Sequence, residues 1–243
     1  MFQQSYDSGE ATPSSKRRGR ILAAGFLAAA LVLSVISFLT DGGVDESQPS
    51  SRGPLSKALA EDSGRPQGCR TDDAERAIPK AAPADVTWQA LGGSRVPASA
   101  SAGPTRSTRP VRWCFARTPM GAVMAAHVIL AQMTGPDWRV VVDEQVVPGF
   151  GRDLFVSQRS SIDDAQLKTR QAGSYAGFAV GDYDKESATV KMLVKSPQGS
   201  FLSTTVSVRW SGGDWKVEPR TDGGLHSKVT TAGGPDGFVQ WMV

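Results

Sequence analysis

Residues 21–39 run without a charge, with Ser34 and Ser37 as their only hydroxyl-bearing side chains, and Lys16, Arg17, Arg18 and Arg20 stand against their start. Such a run has no polar face to turn towards water, so it does not read as a surface helix of a globular domain. At the helical rise it spans roughly 30 Å, the thickness of a bilayer's hydrocarbon core, which predicts one transmembrane helix over 21–40. Flanking positive charge is held on the cytoplasmic side, and Asp41, Asp45 and Glu46 follow the other end. Residues 1–20 are therefore expected as a basic cytoplasmic stub, and everything after 40 as extracytoplasmic. The exit Ser37-Phe38-Leu39-Thr40-Asp41-Gly42 lacks an A-x-A-like cleavage site, and the first cysteine, Cys69, comes too late for a lipoprotein signal. A single-pass protein of the cell membrane is the resulting expectation.

The formal net charge of +3 includes the cations of the stub. What remains is close to neutral and carries no basic stripe, so nucleic acid is not expected as a direct partner. The chain has no asparagine and is rich in Ala, Gly and Arg, a bias of GC-rich bacterial genomes such as those of actinobacteria. Its two cysteines, Cys69 and Cys114, both follow the apolar run. They read as a possible disulfide in an oxidising compartment, or as two unrelated cysteines with Cys114 packed as a small apolar residue between Trp113 and Phe115. No C-x-x-C or H-E-x-x-H accompanies them, so neither a metal site nor a cofactor is expected.

Residues 41–110 are dense in Pro, Gly, Ser and Ala and read as an extended extracytoplasmic linker, with Trp88 pegging one part of it to the domain surface. The folded domain is expected over 111–220. Thr118-Pro119 opens a first helix as N-cap and first-turn proline, Thr134-Gly135 ends it, and Pro136 opens the next element. Residues 136–147 are rich in valine but start on proline and carry central charges; a short helix is the preferred reading. Two further short helical pieces are expected through 171. The period then changes to two over 175–183, 187–195, 200–210 and 215–218, which predicts an antiparallel meander. Ser211-Gly212-Gly213-Asp214 is its clearest hairpin turn, with Trp210 and Trp215 placed to meet across the strands. Residues 221–243 form a C-terminal tail whose apolar end, Phe238-Val239-Gln240-Trp241, is able to dock on the domain.

That order of elements, ending in Arg209-Trp210-Ser211-Gly212-Gly213-Asp214-Trp215-Lys216-Val217, resembles the nuclear-transport-factor-2-like cone. This implies an α+β fold with helices packed on a curved antiparallel sheet after one transmembrane helix. With the span and linker, the chain resembles the bitopic scaffold subunit of type IV secretion and conjugation machines. It also resembles bitopic membrane proteins of actinobacterial conjugative and mobile elements. The residues carrying that second likeness are Ile78-Pro79, Asp85-Val86-Thr87-Trp88, Gly103-Pro104, Cys114-Phe115-Ala116-Arg117-Thr118-Pro119-Met120-Gly121-Ala122-Val123 and Pro148-Gly149-Phe150-Gly151-Arg152-Asp153.

The resemblance implies a non-enzymatic scaffold whose partners are the membrane, envelope or secretion-complex proteins and, as a further possibility, copies of itself. Two other readings compete with it: an extracytoplasmic binding module for cell-wall polymer or a small apolar ligand, and a cone-fold isomerase or dehydratase. The enzyme reading would use His127, Tyr175, Asp182 and Tyr183 around an apolar cavity. Helical spacing instead favours His127 as a packed histidine, and Gly181-Asp182-Tyr183-Asp184-Lys185 reads as a strand-end turn. No catalytic residue is assigned, and His127 and Tyr175 stand only as weak pocket candidates.

Overall fold

The computed structural model describes residues 64–91, 93–164 and 173–241. Two small hairpins come first. Strands β1 (Thr87–Leu91) and β2 (Ser94–Ala98) pair antiparallel, as do β3 (Arg106–Thr108) and β4 (Val111–Trp113). Helices α1 (Pro119–Gln132), α2 (Trp138–Gln145) and α3 (Phe150–Ser160) follow. The main sheet then forms from β5 (Ser174–Tyr183), β6 (Ser187–Lys195), β7 (Phe201–Ser211) and β8 (Asp214–Val217), an antiparallel meander. Two short strands complete it: β9 (Thr230–Ala232) on the free edge of β7, and β10 (Val239–Gln240) on the free edge of β5.

The helix starts where its sequence dictates. Thr118 has extended backbone and its Oγ1 accepts the Gly121 N–H at 3.0 Å, while Pro119 occupies the first turn. All α1 residues except Met120 and Leu130 are buried, because α1 touches strands of all three sheets. Gly121 is the point of closest approach: a Cβ there would lie 1.9 Å from the Ala116 carbonyl oxygen. The end of α1 is tied to its neighbours by buried amides. Gln132 Oε1 accepts from the Arg112 N–H at 2.9 Å and its Nε2 donates to Gln145 Oε1 at 2.7 Å, while Gln145 Nε2 donates to the Arg112 carbonyl at 2.7 Å. This ring joins β4, α1 and α2 and leaves no side-chain polar atom of the pair unpaired, as burial requires.

The β7–β8 hairpin turns through Gly212 and Gly213 at φ of 63° and 82°, the conformation that a two-residue turn between right-twisted strands needs. Trp210 and Trp215 sit opposite one another with ring centroids 5.5 Å apart in an edge-to-face arrangement. Residues 138–145 form a helix despite their valines, since Val141 and Val142 reach the core on one face while Arg139, Asp143 and Glu144 stay outside.

The expected α+β cone does not form. Among the described residues the helices are few and short, and strands predominate. Instead of contributing to a helical layer on one side of a sheet, α1 is enclosed on several sides. Four of the strands arise from 87–113, almost all of it expected as linker. Residues 64–91 and 93–110 are ordered by contacts that composition does not reveal: Val96, Ala98 and Ala102 are buried, and Asp85 accepts from Ser99 Oγ at 2.8 Å and from the Ser101 N–H at 2.9 Å. The expected transmembrane helix over 21–40 and the flanking Lys16, Arg17, Arg18 and Arg20 lie outside the described residues; among the described residues no helix is long and apolar enough to cross a membrane.

Cys69 and Cys114 are joined by a disulfide across 45 residues of sequence. Closing a loop of that length removes unfolded-state entropy equivalent to about 4 kcal/mol. Cys69→Ser is therefore expected to lower the unfolding free energy by about that amount, read as a lower urea midpoint that reducing agent does not depress further.

Candidate functional site

Two clusters concentrate the chemistry of the described residues. The first surrounds His127 on the buried face of α1. Its Nδ1 lies 2.8 Å from the Val123 carbonyl one helical turn back, so Nδ1 carries the proton and donates. That leaves Nε2 as an acceptor, and the indole Nε1–H of Trp241 donates to it at 3.3 Å. Trp241 stands edge-on to His127 (centroids 5.3 Å apart), packs on Phe178 at 4.7 Å and meets Trp88 edge-on at 5.7 Å. Tyr175 is 4.6 Å from the imidazole, and its hydroxyl donates to the His127 carbonyl at 3.3 Å.

The two sequence-derived pocket candidates are thus adjacent, but the space between them is filled by the chain's own Trp241. Burial pulls His127 down to about 4, against the pull of the Val123 carbonyl bond, and burial pushes Tyr175 up. Both side chains are neutral at pH 7, and both imidazole nitrogens are engaged. Asp182 sits elsewhere, exposed on β5 with its N–H donated to Thr189 Oγ1 at 3.0 Å. Tyr183 donates instead to the Arg117 carbonyl at 3.4 Å.

The second cluster is a clasp centred on Asp214, the first residue of β8. Its carboxylate accepts N–H bonds from Cys114 at 2.6 Å, Phe115 at 2.9 Å and Trp215 at 2.9 Å. Cys114 is held at φ 70°, the left-handed region that costs a non-glycine residue about 1–2 kcal/mol. The disulfide then carries the clasp to residues 65–73. Arg65 Nη1 donates to Cys69 Sγ at 3.0 Å and to the Phe115 carbonyl at 3.1 Å, and Arg65 pairs with Asp73 at 2.6 Å. Asp73 also accepts the Arg117 N–H at 2.8 Å. Burial works to raise Asp73, but the bonds from Arg117, Arg65 and Thr71 hold it below the usual carboxylate range. Arg65 and Arg117 each place a guanidinium carbon 5.0 Å from the Trp210 ring centroid, within cation–π range.

Beside Trp210 opens a shallow concavity lined by Asp184, Lys185, Glu186, Ser187 and Arg209. Its charges are mixed and already engaged in part. Asp184 accepts the N–H groups of Glu186 at 2.7 Å and Ser187 at 2.6 Å, which hold it below its ordinary value, and Arg209 is paired with Glu218. Among the described residues no group of three or more His, Cys, Asp or Glu could hold a metal ion. The roles of Arg65, Asp73 and Asp214 had no sequence signal, since main-chain groups they bond lie at distant, unpatterned positions; Trp241 belongs to the apolar end read as able to dock, but its bond to His127 had no signal.

The chain belongs to the family described as a domain of unknown function (DUF8175), whose model matches residues 49–240. That match runs through both the expected linker and the expected domain, in keeping with the ordered segment from 64 onward. No curated protein and no solved structure matches the chain.

Burial pushes Asp214 from 3.8 up to about 6, against the N–H bonds of Phe115, Cys114 and Trp215 and the charge of Arg65. Between about pH 4 and 6 the folded state binds the Asp214 proton more tightly than the unfolded chain, so this contribution falls as pH rises, by about 3 kcal/mol. His127 acts in the opposite sense. The unfolded chain takes up a proton that the folded site refuses, so its contribution rises with pH from about 4 to 6.5, also by about 3 kcal/mol. The two slopes oppose one another in the native protein. In Asp214→Asn the urea midpoint is expected to climb from pH 4 to 6.5, and in His127→Phe to fall from pH 4 to 6.

Proposed function

We propose that the protein is a membrane-anchored, non-enzymatic scaffold or assembly component of a conjugation or type IV secretion-like machine in the cell envelope. The apolar run 21–39 with Lys16, Arg17, Arg18 and Arg20 at its start supports an anchor and, by the side on which flanking positive charge is held, a family domain outside the cytoplasm. The Cys69–Cys114 disulfide fits that side of the membrane, where thiols are oxidised and stay so.

The observation that carries the reading is that the interior next to His127 is filled by Trp241, while both imidazole nitrogens serve as structural hydrogen-bonding groups. Catalysis by a cone-type pocket would need a free base beside an open apolar cavity. Among the described residues an open concavity instead surrounds Trp210 and Arg209, side chains of the types enriched where proteins meet. The partners in this reading are envelope or secretion-complex proteins. Machine identity rests on the likeness in membrane topology, and the span, the disulfide and the filled pocket support the holding role.

Three measurements test the proposal. A membrane-impermeant thiol reagent applied to intact cells is expected to label a cysteine placed at exposed Lys80 and to miss one placed at Ser14. Purification from gently solubilised donor membranes is expected to recover envelope subunits or a transfer ATPase, and deletion of the gene to lower DNA transfer at least tenfold. Labelling of Ser14→Cys in place of Lys80→Cys would overturn the topology, and unchanged transfer without such partners would overturn the role.

A further inference from the structure

Between Asp85 and Asp137 the chain carries five arginines, Arg95, Arg106, Arg109, Arg112 and Arg117, and no carboxylate. They are too widely spaced to read as a basic run. Folding gathers four of them on the two small hairpins. Arg112 on β4 donates through Nη1 to Gln89 Oε1 at 2.7 Å and through Nη2 to the Ala90 carbonyl at 3.2 Å, which ties β4 to β1. Ala90 stands opposite Arg95 in the β1–β2 register, so Arg95 starts about one strand spacing from the atom that Arg112 holds. Arg109 lies in the turn that joins β3 to β4, and Arg106 donates through Nε to the Gly68 carbonyl at 2.8 Å. Arg70 comes alongside, because its neighbour Cys69 is bonded to Cys114, the residue that follows β4.

Among the described residues none of Arg70, Arg95, Arg106, Arg109 and Arg112 is ion-paired, and all but half-buried Arg112 are exposed. The carboxylates that border this stretch do not offset them. Asp73 is paired with Arg65 and Asp85 accepts from Ser99 and Ser101, while exposed Asp72 and Glu75 are matched along the chain by Arg76 and Lys80, and Asp137 by Arg139. The hairpin arginines are therefore surplus positive charge on one surface.

We propose that the β1–β2 and β3–β4 hairpins dock on the anionic headgroups of the membrane that holds the protein. Guanidinium suits this partner: its planar fork of N–H donors matches phosphate oxygens and stays charged at any physiological pH. Each arginine at an anionic membrane surface raises affinity about fivefold. Position favours a membrane over a free polymer. Residues 41–63 lie between the apolar run and the described residues and reach at most about 80 Å. The described chain then starts at Gly64, four residues before the Gly68 carbonyl that accepts from Arg106. The side by which the domain is tethered is thus the arginine side. This inference rests on the anchor of the proposed function and not on the machine it serves.

The test reconstitutes the full chain in nanodiscs of phosphatidylcholine with or without phosphatidylglycerol, each carrying a lipid with a nitroxide on its headgroup. A bimane is attached at Ser107→Cys, opposite Arg112 in the hairpin, or at Gln198→Cys, in the turn at the other end of β7 from the Asp214 clasp. The native cysteines are joined to each other, so the label is unique. Phosphatidylglycerol is expected to raise quenching at 107 at least twofold and to leave 198 unchanged. Arg95→Glu with Arg109→Glu is expected to abolish the rise, as is salt at about 1 M, where charges more than about 3 Å apart are screened. Equal quenching at 107 in the two kinds of disc, an equal rise at 198, or a rise that survives the double substitution would each overturn the docking and leave the anchor standing. Soluble teichoic acid bound through the same arginines, without a phosphatidylglycerol rise, would give the surface to a polymer and overturn it too. A chain that washes out of both kinds of disc into aqueous buffer would overturn the anchor, and the docking with it.

Discussion

The Asp214 carboxylate is the point on which the arrangement of the chain's two halves depends. It sits at the mouth of the Gly212-Gly213 turn, so the hairpin fixes its position. From there it takes the N–H groups of Cys114 and Phe115, a hundred residues earlier in the chain. A buried carboxylate without donors would cost far more than these bonds return, and the three N–H groups make its burial tolerable. Their geometry also sets the chain direction at Cys114, whose left-handed backbone turns the segment from β4 into the entry to α1. The disulfide is anchored at that same residue, and Arg65 reaches back from beside Cys69 to the Phe115 carbonyl. One acidic side chain thus links the hairpin end, the strained turn and the wrapping of residues 65–73.

Much of the local structure was legible because it rests on short-range rules. Thr118-Pro119 marks the start of α1 through a hydroxyl that reaches its own first turn, and Gly212-Gly213 marks a turn through backbone freedom that other residues lack. Alternation over β5 to β8 reports one buried face. The segment 64–110 was not legible for a physical reason. Its composition describes what the chain would do alone, but its order comes from groups far away: Asp73 with the Arg117 N–H, Gln89 with Arg112, Cys69 with Cys114. Pro and Gly there shape turns in a packed surface layer.

The cone expectation failed through a related limitation. Met120, Val123, Met124, His127, Val128 and Leu130 recur at helical spacing and suggest one apolar face resting on one sheet. The positions between them are Gly121, Ala122, Ala125, Ala126 and Ile129, all buried as well and all but Ile129 small. Small side chains are uninformative in a pattern because they tolerate both burial and exposure, yet they allow close approach by a second layer. Gly121 against Ala116 and the contact of α1 with β2 and β4 show that second layer in place. Periodicity registered the face covered by the large residues and missed the face covered by the small ones.

The same enclosure explains why a histidine belongs at 127. Trp241 closes the pocket and buries an indole N–H, which needs an acceptor, since an unsatisfied buried donor costs about 1–3 kcal/mol. An apolar residue on α1 would fill the volume and leave that donor unpaired. A neutral imidazole fills it and supplies Nε2, because its Nδ1–H is tied to the Val123 carbonyl and the tautomer is thereby fixed. Burial keeps the ring neutral, so the acceptor persists across the physiological range. What His127 selects is therefore the identity of the group that seals the sheet edge: phenylalanine would match the shape of the pocket without bringing a donor, and tryptophan satisfies both conditions.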